Sequence, residues 1–168
     1  MFQTMDLSAS ALSAERIRLN LIANNLANAN TTRDGQGSRA PYRRLLAVFE
    51  PGSQGSRLGV QVTDIVESDE APRLQFDPNH PDAIKAEEFY KLDAKGQITS
   101  APRDEYAALS QEAFKRMVDS KLGYVEYPNV DPVREMADAV LASRAYEANV
   151  AVLQTTKTLI SQSLRIVA

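Results

Sequence analysis

The chain has 168 residues, enough for one domain with a modest core. Its 43% apolar and 24% charged content argues against wholesale disorder, and a net charge of −3 gives no general support for nucleic-acid binding. Cysteine is absent, so disulfides, thiol catalysis and cysteine metal sites are excluded.

The opening stretch, MFQTMDLSASALSAERIRLN, does not read as a secretory signal. No Lys or Arg precedes Arg16, and Ser8, Ser10 and Ser13 interrupt any apolar core. No apolar run approaches a membrane span, so direct membrane insertion is not expected. The residues alone point to a cytoplasmic protein, or one exported with its N-terminus uncut.

From about Thr4 to Asn30 the pattern predicts a helix. Met5, Leu12, Leu19 and Leu26 repeat every seven residues, and Ala9, Ile22, Ala23 and Ala29 widen the stripe. Asp6 is read as an early-turn acid or cap. Asn20, Asn24 and Asn28 recur every four residues and share one helix face, with Asn25 and Asn30 beside them. Asparagine is a mediocre helix former. Two roles compete: amides that fix the register of a helix seam, and solvated or helix-ending residues. Asn28 and Asn30 also suit a helix exit.

TTRDGQGSRAPYRR reads as a loop. YRRLLAVFE is a candidate strand, PGSQGSRLG a second loop, and GVQVTDIVE a strand whose phase shift between Val62 and Ile65 marks a bulge. RLQF is expected as the return strand. DPNHPDAIK is a turn-rich connector, and EFYKLDAKGQIT predicts a short hairpin around Ala94-Lys95-Gly96. Ser100 resembles a helix N-cap with Pro102 in the first turn. Tyr106, Leu109, Ala113, Met117 and Val118 would line that helix, and Gly123 would end it. YVEYPNVDP is extended.

Asp131 and Pro132 then start a long last helix, cap followed by proline. Ala145, Val152, Leu159 and Ile166 repeat by sevens. Val150, Leu153, Ile160, Leu164 and Val167 form a second stripe on another side. Past Tyr146 the only charges are Glu147, Lys157 and Arg165. A helix of this length spans roughly 50 Å, more than a chain this size needs internally. Apolar on more than one side and poor in charge, it calls for more than one neighbour.

The expected fold is mainly α with a small β element. The long terminal helices pair as an antiparallel coiled coil, with a β-hairpin and loop region and an inserted helix between them. The parts are a terminal helical domain (1–32 and 130–168), a loop and hairpin region (33–85), an insertion (86–122) and an extended connector (123–129).

LNLIANNLANANT resembles the N-terminal signature of the flagellar rod, hook and hook-associated axial proteins, with Ser10 to Thr31 matching almost throughout. VDPVREMADAVLASRAYEANVAVLQTTKTLI is similar to the matching C-terminal helix, including the core from Ser143 to Asn149. YPNVDPVREM, the GVQV strand, the DPNHP turn and the short length resemble the proximal rod members most. The resemblance covers about residues 5–82 and 123–168.

It implies a structural, non-enzymatic subunit of the basal-body rod, a periplasm-spanning drive shaft that transmits torque around an export channel. Implied partners are other rod subunits, proximal and distal, the junction protein between rod base and MS ring, and the flagellar type III export apparatus. No cofactor is implied. The expected assembly residues are Met5, Leu12, Leu19, Asn20, Ile22, Asn24, Asn25, Leu26 and Asn28 at one end, and Tyr146, Asn149, Val152, Leu153, Leu159, Ile160 and Ile166 at the other. Residues 86–122 depart from the family pattern. They read as an outer decoration, a brace to a neighbour, or an insertion without a role.

Other chemistry finds little footing. His80, between Asn79 and Pro81, reads as a turn residue, and Asp69, Glu70, Asp77 and Asp82 as solvated loop carboxylates. GQGS and PGSQGS lack the ending of a phosphate loop. Arg39, Arg43 and Arg44 form a small basic cluster suited to subunit contacts or solvation, with no aromatic series for nucleic acid.

Overall fold

The computed structural model describes residues 2–52, 59–92, 97–106 and 108–167. Two compact units result: Met1–Asn30, Arg43–Glu70 and Asn129–Ala168 form the first, and Thr31–Tyr42 with Ala71–Pro128 the second.

In the first unit, α1 (Phe2–Ala27) and α3 (Pro132–Val167) are the long terminal helices expected from the seven-residue repeats. They pack on each other. The last turns of α1 lie at the first turn of α3, where Asn25 reaches Glu135. Asp131 starts α3 as its sequence context requires: its Oδ1 accepts from the Val133 backbone N–H at 2.9 Å, ahead of Pro132. Asp6, by contrast, lies inside α1 and caps nothing, because the helix is already formed at Phe2.

Strands β1 (Leu45–Pro51) and β2 (Val60–Glu67) make an antiparallel ribbon against α1. Val48 pairs with Asp64 and Phe49 with Val62, which leaves Thr63 as the extra residue of a bulge. The phase shift seen in the sequence is that bulge. Arg18 of α1 sits 4.9 Å from the centre of the Phe49 ring and fastens the ribbon to the helix. The loop between the strands falls at 53–58, outside the described residues.

In the second unit, β3 (Arg73–Phe76) pairs antiparallel with β6 (Tyr124–Tyr127), not with the preceding ribbon as expected. The local signal for a strand was right and its partner was nonlocal. Between β3 and β6 the chain makes a closed excursion. Ile84 N–H donates to the Tyr124 carbonyl at 2.9 Å, and Gly123 N–H donates back to the Ile84 carbonyl at 2.9 Å. The segment thus leaves and re-enters at one point.

Inside that excursion β4 (Tyr90–Leu92) and β5 (Ile98–Pro102) form the expected short hairpin; its turn, Ala94-Lys95-Gly96, lies outside the described residues. Ser100 does not cap a helix. It belongs to β5, because pairing with β4 and the extended bias of Ala101 before Pro102 outweigh its capping tendency. The helix α2 (Gln111–Lys121) begins ten residues later, where the Ser110 side chain accepts from the Ala113 N–H. Tyr106 therefore reaches the core from a 3-10 turn, where it meets Phe89 and Phe114. Tyr90 stands edge-on to Phe114, and Ile84 and Val118 complete this apolar cluster.

Gly123 ends the excursion with φ +78°, and an added Cβ would lie 3.0 Å from the Phe76 ring. The left-handed conformation alone costs an L-residue about 1–2 kcal/mol. Gly123→Ala is therefore expected to lower the thermal midpoint of the second unit, as followed by tyrosine fluorescence. An unchanged midpoint would contradict the clamp.

Candidate assembly interface

Leu45 begins β1, and its outer backbone groups need partners. The Asn25 side chain supplies both. Its Oδ1 accepts from the Leu45 N–H at 2.9 Å and its Nδ2 donates to the Leu45 carbonyl at 3.0 Å. The carboxamide thus acts as one peptide unit of a missing strand. Asn25 is 1% exposed, so either group left unpaired would be costly.

The same amide points Nδ2 at Glu135 Oε2, 3.4 Å away. Glu135, also 1% exposed, accepts from Arg44 Nε through Oε1 at 2.6 Å. Asn129 Oδ1 accepts from the Arg44 N–H, and Ser68 N–H donates to the Arg44 carbonyl. A helix end, a strand start and a second helix start are joined by one buried polar network.

Of the asparagines on one face, Asn20 and Asn24 are exposed and Asn28 is half-buried. Asn28 Nδ2 donates to the Asn24 carbonyl at 2.9 Å, the helix-exit role. The amide that joins elements is Asn25, one position off that face.

Within the first unit Ile22 is buried, while Met5, Leu12, Leu19, Asn149, Leu153 and Ile160 are half-buried. Asn149 turns its amide back to the Ala145 carbonyl. Leu26, Tyr146, Val152 and Leu159 are exposed; the side chain of Ile166 lies outside the described ones. Of the two stripes of α3, Leu153 and Ile160 are half-buried and Val152 and Leu159 open, and Leu164 at the far end of the half-buried stripe is exposed. Leu141, 64% exposed, continues the side of Val152 and Leu159 toward the start of α3, while Val133, Met136 and Val140 are exposed on another side of the helix.

Two sequence assignments are overturned. Arg44 is no part of a solvated basic cluster: its side chain is 14% exposed and bonded to Glu135. In the second unit Arg39 holds both carboxylate oxygens of Glu88 at 2.7 Å. Asp82 is buried, not solvated. It accepts from Thr32 Oγ1 at 2.7 Å and Arg33 Nε at 2.8 Å. The Arg33 hydrogen bonds, then that from Thr32, lower its pKa from the usual 3.8 to about 2, against the opposing effect of burial. His80 is in the turn, as read. Its Nδ1 accepts from the Asp82 N–H, and its ring is edge-on to Tyr127.

Sequence reasoning passed over Glu135 altogether. The available signal was an acid in the first turn of a helix otherwise poor in charge. Among the described residues no group of His, Asp and Glu is placed to hold a metal, and no helix is long and apolar enough to cross a membrane.

Two family models match the chain. Residues 5–33 fit the flagella basal body rod protein family, and residues 121–166 the C-terminal family of the flagellar basal body rod FlgEFG proteins. The flagellar basal-body rod protein FlgC of Bacillus subtilis is 33% identical, over 98% of this chain and 97% of its own length. FlgC of Borreliella burgdorferi is 32% identical over 99% and 97%. FlgC of Escherichia coli O6:H1 is 34% identical over 95% and 92%.

Glu135→Ala would leave the Arg44 guanidinium with only the more exposed Asp138, 3.6 Å away, and is expected to cost about 3 kcal/mol in urea unfolding; a change below about 1 kcal/mol would show that the network is slack. Asp82 gives a pH signature. Its folded pKa lies below the ordinary value, so its contribution is complete above about pH 4 and fades as pH falls toward 2. The melting midpoint of Asp82→Asn should therefore fall less than that of the parent between pH 5 and 2. Parallel curves would remove Asp82 as the source.

Proposed function

We propose, from the premise that this chain belongs to the FlgC family of flagellar basal-body rod proteins, that it works through packing and not through chemistry. It is a structural subunit of the basal-body rod, and it assembles with other rod and basal-body components. The observation that carries the packing reading is that α3 leaves apolar side chains uncovered on more than one side, Val133, Met136 and Val140 on one and Leu141, Val152 and Leu159 on another. A monomer has no use for such a surface, and a helical stack of subunits does.

In this reading residues 1–32 and 130–168 form the axial domain, with the terminal helices completing an antiparallel coiled coil in the assembled rod. Met5, Leu12, Leu19, Asn20, Ile22, Asn24, Asn25, Leu26 and Asn28 meet Tyr146, Asn149, Val152, Leu153, Leu159, Ile160 and Ile166 in the seams within and between subunits. The subunit sits in the proximal, periplasm-spanning rod, around the export channel, and passes torque along it. It leaves the cell interior through the type III apparatus. Its neighbours are proximal and distal rod subunits and the junction protein at the MS ring. Residues 33–85 and 123–129 carry contacts farther out, and 86–122 decorates or braces the outer surface. Similarity to FlgC proteins over nearly the whole chain supports a place in the basal-body rod.

Leu159→Asp and Leu26→Asp each place a charge on an exposed apolar position, so the isolated fold should tolerate them. Both are expected to abolish swimming with export of the subunit intact. Normal swimming would contradict the seam assignment.

A further inference from the structure

A cleft of about 250 Å3 opens in the first unit between α1, β1 and α3. Leu21, Ile22, Ala47, Phe49 and Leu141 form its apolar wall, and Asn25 adds a polar edge. The charges around it balance: Arg44 is bonded to Glu135, and Arg18 and Asp138 carry opposite signs. Drug-sized ligands occupy sites of about 300 Å3 and more, while a void of about 150 Å3 accepts a benzene-sized group. The volume suits one or two side chains better than a metabolite. The balanced lining suits a neutral occupant.

This chain itself carries such a segment. Ala148–Thr156 and Thr158–Leu164 contain no charged residue. Val152 and Leu159 stand there 50% and 54% exposed. At about 1.5 Å per residue they lie roughly 17 and 27 Å along α3 from Leu141 at the cleft, out of reach within one chain.

We infer that the cleft is a socket for Val152 or Leu159 of a second copy. Knob and socket are different patches of one surface, so the contact is heterologous. Each copy offers one of each, and repetition yields an open helical row instead of a closed dimer. The inference rests on the rod reading and specifies which patch of one subunit meets which patch of the next.

The chain has no cysteine, so introduced pairs report cleanly. Ala47→Cys combined with Val152→Cys, or with Leu159→Cys, is to replace the native chain in swimming cells. Basal bodies are then purified, mildly oxidised and run on non-reducing gels. At least one double variant should give a ladder of dimers, trimers and higher species, and no single variant should go beyond a dimer. If a cysteine at position 47 blocks incorporation, a photo-crosslinking residue in place of Leu46 at the cleft must capture a second copy. Basal bodies that contain the protein yet give no ladder and no such capture overturn the socket and leave the rod reading intact. Capture of a different axial protein overturns the second copy as occupant. Basal bodies that lack the native protein altogether overturn both.

Discussion

The first unit depends on one carboxamide. The Asn25 side chain satisfies both the donor and the acceptor of Leu45, and it does so in a buried place where water cannot substitute. A hydroxyl in that position would lack the reach, and a carboxylate would lack the donor. Through Glu135 the same group is tied to the first turn of α3, and through Glu135 to Arg44 at the start of the ribbon. Apolar burial holds α1 and α3 together. The polar network decides in which register, and where β1 begins.

Periodicity exposed the large elements because their helices are long and nearly uncharged, so the seven-residue repeat stands clear of noise. Asp131–Pro132 and the bulge at Thr63 were equally local and equally legible. What spacing could not provide was the identity of the facing surface. A four-residue rhythm selects Asn20, Asn24 and Asn28 as a row, but burial at that end of α1 is set by β1, which comes twenty residues later in the chain. Asn20 and Asn24 stayed outside, Asn28 is half-buried, and their odd neighbour, Asn25, went in. Arg44 is a similar case. Strand alternation turns one of the adjacent arginines inward, and only a carboxylate ninety residues away makes that tolerable. Ser100 was misread for the opposite reason: its local capping chemistry is real, but cross-strand pairing outweighs it.

The second unit solves a different problem. An excursion of nearly forty residues has too few apolar groups to fold as a domain in its own right. It makes up the deficit with ring contacts among Phe89, Tyr90, Tyr106 and Phe114, and by anchoring its two ends to each other at Ile84 and Gly123. The β3–β6 pairing beneath is left undisturbed by whatever length of chain the loop above contains, so this is a place where a sequence can grow.

The span between Asn25 and Glu135 sets an order of events. During synthesis Asn25 precedes its carboxylate partner by 110 residues. Until then the amide has Leu45 for a partner and the arginine has no buried carboxylate. A chain cut short before Glu135 lacks the carboxylate that joins Asn25 to Arg44. Full pairing of the buried amide therefore waits on a residue in the first turn of the last helix.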